Sequence, residues 1–228
     1  MADALQPEIW EWAEYYCPWC YVGAVRLHAI MPEFQGRVRM RIRPFPLEVL
    51  GGGPPNRSEL EQEWWLAALQ EPLATFAPFR SDDWPTTTLP AFDAAFAAAR
   101  QGEDALFDFD LRVRRAFFAE SRNIGRRDIL REIAEEANLD IPRFERDVAD
   151  PETRAAVLAE ANLGHESFKV RGTPTLMLAD GTRLRHPMAF PRFEDDQVVS
   201  VKPLPCHGDG CLDATRALVE KAHSGFQP

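Results

Sequence analysis

The sequence lacks a long apolar run and an excess of positive charge. No apolar stretch approaches the ~20 residues of a membrane-spanning helix, so no such span is predicted. The 26 Lys and Arg residues against 36 Asp and Glu residues give a net charge of −10. Nucleic acids and anionic membranes bind basic patches, so we expect neither as a partner. No basic stretch followed by an apolar core opens the chain, so no secretory signal is predicted and we expect a cytoplasmic protein.

Cysteine is also scarce, with four in 228 residues. In a cytosolic chain, cysteines serve redox or metal chemistry more often than they form structural disulfides. No second pair repeats the spacing of the first, so a zinc site made of two such pairs is not predicted. Apolar residues make up 45% of the chain, which is ample for a core.

The first cysteine pair lies in the segment Cys17-Pro18-Trp19-Cys20. The aromatic run Ile9–Tyr16 before it suits a β-strand, and Tyr21–Phe34 after it suits a helix. Pro18 then falls in the first helical turn and Cys17 at the N-cap, where the helix dipole favours a thiolate. One sulfur can attack a disulfide and the other can resolve it, which suffices for dithiol–disulfide exchange. Half of a zinc site and a pair of core thiols are the alternatives.

Helical patterns dominate the middle of the chain. Residues 37–43 alternate arginine with apolar residues, which indicates a half-buried strand that ends at prolines. Residues 51–57 predict a loop, and Ser58-Glu59-Leu60-Glu61 predicts a capping box that opens a helix. Further helices are predicted over 90–101, 104–121, 126–138, 142–149 and 151–168.

Strand character returns after this helical block. Thr175–Leu178 is apolar, and Asp180-Gly181 indicates a hairpin to Thr182–Arg185. A last helix is predicted from about Leu212 to His223. The order of elements predicts an α/β fold with a large all-helical insertion.

A second motif accompanies the first. Gly172-Thr173-Pro174 places a proline at the head of the apolar strand, and with the cysteine pair upstream it resembles the cis-proline loop of thioredoxin folds. With Tyr21-Val22-Gly23 after the cysteines, the helical insertion and a later pair of cysteines, the chain resembles the DsbA-like thioredoxin superfamily, and within it the FrnE-type oxidoreductases. The resemblance implies a thioredoxin-like domain over 1–50 and 169–228, with a helical insertion domain over 51–168.

The resemblance also implies roles for individual residues. Cys17 attacks and Cys20 resolves, while a cis bond before Pro174 turns the backbone of Thr173 towards Cys17 to pair with an extended substrate. Glu11 matches a buried acid that takes the proton of the resolving thiol, with a solvated face of the strand as its alternative. Threonine before the proline, where valine is common in this group, is reminiscent of isomerase and reductase relatives.

Three further side chains are candidates at this site. Pro18 and Trp19 are expected to contact substrate, with Trp19 on an exposed surface between the cysteines. Glu14 is a second candidate acid, with a solvated face of the strand as its alternative. No cofactor is expected.

Cys206 and Cys211 enclose four residues, two of them glycine, which lets the backbone close a small disulfide ring. We expect this pair at the surface, before the last helix. Zinc binding with His207 and Asp209, or inert thiols, are the alternatives. The FrnE-type resemblance implies an auxiliary redox pair that passes electrons to the first one.

Three functions stay open. The first is a thiol–disulfide oxidoreductase or isomerase whose partners are protein thiols and disulfides, with glutathione as a further partner. The second is a glutathione-dependent small-molecule isomerase or transferase, similar to hydroxychromene-carboxylate isomerases and kappa-class transferases. The third is a binding module with incidental thiols. His165 and His186 are expected to be structural, and residues 187–205 match no pattern.

Overall fold

A four-stranded sheet forms the centre of the computed structural model, which describes residues 6–50, 56–202 and 206–225. The strand order is β2-β1-β3-β4. β1 runs parallel to β2 and antiparallel to β3, and β3 runs antiparallel to β4. The strands are β1 (Glu8–Ala13), β2 (Arg39–Pro44), β3 (Thr175–Leu178) and β4 (Arg183–Leu184).

Helices surround this sheet and fill the chain between β2 and β3. Helix α1 (Pro18–Ile30) makes the crossover from β1 to β2 and continues into a 3₁₀ turn, Met31–Phe34. The last helix between β2 and β3 leads into a π turn, Leu163–Ser167. The remaining helices are α2 (Leu47–Leu50), α3 (Arg57–Gln70), α4 (Leu89–Ala99), α5 (Glu103–Phe118), α6 (Arg127–Glu136), α7 (Ile141–Ala149), α8 (Pro151–Asn162) and α9 (Asp209–Ser224). In the described parts of the chain, no helix is long and apolar enough to span a membrane.

The predicted fold class is confirmed, with corrections at three places. The cap of α3 is Asn56, whose side chain accepts the Ser58 N–H at 2.8 Å, so the capping box at Ser58 was wrong. The last helix of the block ends at Asn162 and not at residue 168. Residues 187–205, without a sequence pattern, contain a hairpin of β5 (Pro191–Glu194) and β6 (Gln197–Val201). Residues 51–55 of the predicted loop lie outside the described ranges.

Helix α1 lies at the junction between the sheet and the helical block. Tyr21 on α1 stacks on Phe118 with ring centroids 5.2 Å apart, and Trp64 packs edge-on against the same ring at 5.0 Å. These rings belong to one buried cluster that also contains Cys17, Trp19 and Cys20. Burial of large aromatic side chains is a major stabilising term, so the helical block fixes the helix that carries the cysteines.

Candidate active site

The two cysteines occupy different environments at the start of α1. Cys17 is the N-cap, and its Sγ accepts the N–H of Cys20 at 3.4 Å. Pro18 is the first helical residue, where its missing N–H is harmless. Cys17 is 8% exposed and Cys20 is fully buried. A substrate from solvent therefore reaches the sulfur of Cys17 first.

The proline loop faces Cys17. The Thr173–Pro174 peptide bond is cis, as predicted from the resemblance. The thiol of Cys17 donates to the carbonyl oxygen of Thr173 at 3.4 Å. The N–H of Thr173 makes no hydrogen bond to any residue that the structure describes, so it is available to a substrate backbone.

A cleft of about 300 Å³ opens beside Cys17. Trp19 forms part of its wall but is only 3% exposed, so the prediction of an exposed Trp19 surface was wrong. The ring packs in the aromatic cluster instead of lying between the two sulfurs in solvent. The cleft is lined by Tyr16, Cys17, Trp19, Leu47, Leu60, Glu63, Thr173, Met188, Ala189, Phe190 and Pro191.

Glu63 is the carboxylate in this lining, and sequence reasoning missed it. Burial, and to a smaller extent the charge of Glu59, raises the pKa of Glu63 to about 7. Among the described residues of the lining, none is basic. The cleft is therefore apolar except for the carboxyl group of Glu63. The sequence signal that could have identified Glu63 was its position on an apolar helix face.

Glu11 lies on β1 beneath the cysteines and is 2% exposed. Burial raises the pKa of Glu11 to about 7, although the positive charge of Arg114 lowers it. Burial also raises the pKa of the Cys20 thiol well above its ordinary value, and the negative charge of Glu11 adds to this rise. A carboxyl with a pKa near neutrality beside a buried thiol is suited to exchange a proton with it.

Glu14 has a different environment, although burial raises its pKa to about 7 as well. Its carboxylate accepts hydrogen bonds from the N–H of Tyr15 and of Leu47, both at 2.6 Å, and from the Thr88 hydroxyl at 2.8 Å. These bonds fasten the end of β1 to α2 and to the residue before α4. The contacts make Glu14 a structural carboxylate, and the solvated alternative was wrong.

A buried ion pair on α5 also acts on the site. Arg114 and Asp110 are each 1% exposed and pair through two bonds, of 2.7 and 3.1 Å. Arg114 also donates to the carbonyl oxygen of Glu14 at 2.9 Å, and its charge lowers the pKa values of Glu11 and Cys20. The sequence signal that we missed is a pair of opposite charges four residues apart on the helix, Asp110 and Arg114, flanked by the apolar Phe109, Val113 and Phe117.

The second cysteine pair forms a disulfide, Cys206–Cys211, with its Cα atoms 5.1 Å apart. Cys211 lies in the first turn of α9 and is fully buried, so the predicted surface position before the helix was wrong for this residue. Its sulfur is covered by α3, where the Gln70 amide approaches it at 3.6 Å. Across the described residues, no three His, Cys, Asp or Glu side chains form a group that could hold a metal ion.

Comparison with known proteins identifies the family. The profile of the DSBA-like thioredoxin domain matches residues 8–199. YwbO of Bacillus subtilis is 26% identical over 175 residues, which is 74% of this chain and 85% of YwbO. The structure of the cytosolic disulfide reductase DsbM from Pseudomonas aeruginosa with GSH has a TM-score of 0.62 at 23% identity, covering 78% of this chain and 89% of DsbM.

A second solved structure, from Nitrosomonas europaea and named as a candidate protein disulfide isomerase, covers 98% of this chain and 100% of its own. Its TM-score is 0.72 at 17% identity. These likenesses support the fold, and the family match spans both the cysteine pair and the proline loop. The chain therefore belongs to the DsbA-like thioredoxin family of thiol–disulfide oxidoreductases.

Proposed function

We propose that the chain is a protein thiol–disulfide oxidoreductase or isomerase that works through Cys17 and Cys20. The Cys17 thiolate attacks a substrate disulfide, forms a mixed disulfide and releases one substrate thiolate, which takes up a proton. Cys20 then gives its proton to Glu11, and its thiolate attacks Cys17. The second substrate thiol leaves reduced, and the enzyme holds a Cys17–Cys20 disulfide. Reversal of the same steps oxidises a dithiol.

The approach of Cys17 to Thr173 carries this proposal. The sulfur lies 3.4 Å from the Thr173 carbonyl oxygen, and the N–H of the same residue is unpaired among the described residues. An extended peptide can pair with such backbone groups as an added strand, which would hold its sulfur beside Cys17. Pro174 keeps this backbone turned towards the cysteine.

The lining of the cleft favours a polypeptide over glutathione. Apolar side chains such as Leu60, Met188 and Phe190 suit the hydrophobic segments of an unfolded chain. Glutathione carries a net negative charge, whereas the only charged side chain in the described lining is Glu63. Like charges brought together are unfavourable, so we propose that protein disulfides react better than glutathione disulfide.

Glutathione-dependent chemistry is the second candidate, because the similar structure of DsbM was solved with GSH. In that case glutathione would occupy the same cleft beside Cys17. DsbM is a cytosolic disulfide reductase, which also supports our expectation of a cytoplasmic location. The two candidate functions differ in their substrate, which is a protein disulfide in the first and glutathione in the second.

Insulin reduction by dithiothreitol tests the proposal. The protein should accelerate precipitation of the insulin B chain, and Cys17→Ser should lose the acceleration. Isothermal titration with reduced glutathione, using Cys20→Ser to prevent turnover, measures the competing ligand. Tight glutathione binding without insulin reduction would favour the second candidate.

A further inference from the structure

Several buried polar atoms near Cys20 have no hydrogen-bond partner among the described residues. They are Oε1 of Glu11, Nδ1 and Nε2 of His186, and Nη2 of Arg26. Buried polar groups are normally satisfied by protein or by ordered water. Four such atoms together therefore indicate a polar site beneath the cysteines.

Gly23 shows that two of these atoms converge. A Cβ atom on Gly23 would lie 3.1 Å from Oε1 of Glu11 and 3.4 Å from Nε2 of His186. Gly23 stands on α1 three residues after Cys20, on the same side of the helix. The carboxyl and the imidazole thus both approach α1 at Gly23, and the absence of a side chain there allows this close approach.

The sheet explains why His186 arrives there. Glu11 on β1 pairs with Leu176 on β3, and Leu176 pairs with Leu184 on β4. His186 lies two residues beyond Leu184, at which β4 ends, so the chain leaves the sheet beside the face that carries Glu11. Arg26 holds this segment on α1 by donating to the carbonyl oxygen of Pro187.

We infer that His186 is a positioning residue for catalysis, which holds a bridging water against Glu11 and so orients and stabilises the carboxyl group that exchanges a proton with Cys20. The inference rests on the proposed function of the cysteine pair and of Glu11. Its new content is the role of His186 and of the space at Gly23, neither of which touches the reacting sulfur atoms.

The proton balance is as follows. Cys20 loses its proton to the Glu11 carboxylate as its thiolate attacks Cys17. The Glu11 carboxylic acid keeps this proton and donates it in a hydrogen bond to the bridging water, which in turn donates to a ring nitrogen of the neutral His186. Glu11 then gives the proton up to the substrate thiolate that leaves Cys17, which completes the balance. Burial and the charge of Arg26 lower the pKa of His186 to about 3. The imidazole is therefore neutral at rest, with one nitrogen available to accept.

Other charges face this site and must be considered in any pH profile. Arg114 and Asp110 on α5 act on Glu11 with opposite signs, and Arg26 on α1 acts on His186. Arg26 is itself neutralised by Glu71, which it contacts at 2.6 Å with both side chains fully buried. None of these charges is altered by replacing His186.

The test is the pH dependence of the second step. Each reduced protein is mixed in a stopped-flow instrument with a peptide disulfide from pH 5 to 9, and release of the second peptide thiol, which follows formation of the mixed disulfide at Cys17, is recorded. His186→Leu should slow release at pH 7 about tenfold, a part of the ~10²–10⁴-fold that proton transfer contributes. The midpoint of the profile should also rise, because the Glu11 carboxylate loses its polar partners.

His186→Gln keeps a side-chain amide that can hold the water, and it should recover part of the rate and of the midpoint. Gly23→Ala should resemble His186→Leu, because its methyl group fills the site. His165→Leu is the matched control: His165 lies on the π turn, paired with Glu166, and its loss should change neither value. Circular dichroism and the melting temperature identify variants that fail to fold.

The outcomes separate this inference from the proposed function. If Glu11→Gln slows release and His186→Leu leaves both rate and midpoint unchanged, the role of His186 is wrong and the cysteine mechanism stands. If Cys20→Ser releases peptide as fast as the wild type, the proposed function itself is wrong. A lower melting temperature for His186→Leu with an unmoved midpoint also overturns the inference, because it indicates a purely structural histidine.

Discussion

The thiol of Cys17 lies 3.4 Å from the carbonyl oxygen of Thr173, although 156 positions separate the two residues in the chain. One is the N-cap of α1 and the other precedes the cis proline that leads into β3. β1 and β3 are paired directly, so the ends of these two strands bring the nucleophile and the peptide-binding backbone together.

The two cysteines should give opposite results when replaced. Cys17→Ser should abolish turnover, because the sulfur that substrate reaches is lost. Cys20→Ser should accumulate mixed disulfides with substrate, because no resolving thiol remains. Non-reducing gels and intact mass spectrometry after incubation with reduced, unfolded insulin chains and an oxidant detect the adducts. Adducts of equal abundance on Cys17→Ser would contradict the assignment.

Glu63→Gln should speed the reaction with glutathione disulfide at pH 8, where the carboxylate is ionised, by about three- to tenfold. The gain should vanish towards pH 5, because burial raises the pKa of Glu63 to about 7 and it is protonated there. Rates with a neutral disulfide peptide should change little. Stopped-flow tryptophan fluorescence measures both reactions.

Glu61→Gln is the matched control for this prediction. Glu61 lies on the same helix but pairs with Arg57 at 2.9 Å and does not line the cleft. The control should leave glutathione disulfide kinetics unchanged. Equal gains from both substitutions would mean that overall charge, and not the charge in the cleft, controls the reaction.

Glu11 and Glu14 share a raised pKa, but only the loss of Glu14 should also break hydrogen bonds that stabilise the fold. The pKa of Glu11 is raised from 4.5 to about 7 in the folded protein. Between these pH values the folded state binds more protons than the unfolded state, so stability falls as pH rises through this window. Glu11→Gln removes this loss. The gain in free energy of unfolding of the variant over wild type should be larger at pH 8 than at pH 4.5, by on the order of 2–3 kcal/mol.

Glu14→Gln should instead destabilise the fold at pH 4.5, where the raised pKa of Glu14 has little effect on stability. At pH 8 the linkage described for Glu11 offsets this cost, because burial raises the pKa of Glu14 to about 7 as well. An amide cannot accept from all the donors that the Glu14 carboxylate satisfies. A buried donor left without an acceptor costs about 1–3 kcal/mol. Urea unfolding of both variants at pH 4.5 and pH 8 measures the two effects, and a Glu14→Gln variant as stable as wild type at pH 4.5 would contradict the structural role.

The Cys206–Cys211 disulfide should be dispensable for the first turnover at Cys17. Its sulfurs lie against Gln70 on α3, outside the lining of the cleft. The double variant Cys206→Ser, Cys211→Ser should therefore keep the single-turnover rate of reduced Cys17. If the pair is an auxiliary redox couple, steady-state recycling alone should slow. A lost first turnover in a folded double variant would mean that the disulfide shapes the active site.

The sequence by itself determined the chemistry of the site. A strand, a cysteine at a helix N-cap, a proline and a second cysteine form a local pattern that needs no distant residue to be recognised. The position of Pro174 before the apolar strand β3 was an equally local signal. For the same reason, most helix limits between β2 and β3 agree with the pattern within a few residues, since caps and prolines act over one turn.

Only the tertiary structure decided which charges meet at the buried site. Glu11 and Glu14 are three residues apart with the same raised pKa, yet one has an unpaired oxygen and the other accepts bonds from α2 and from Thr88. Arg114 and His186 reach the cysteines from remote parts of the chain. Burial and partner geometry arise from packing between elements, and spacing along one element carries no information about them. That is why Trp19 and Cys211, both predicted at the surface, are buried beneath helices that pack across them.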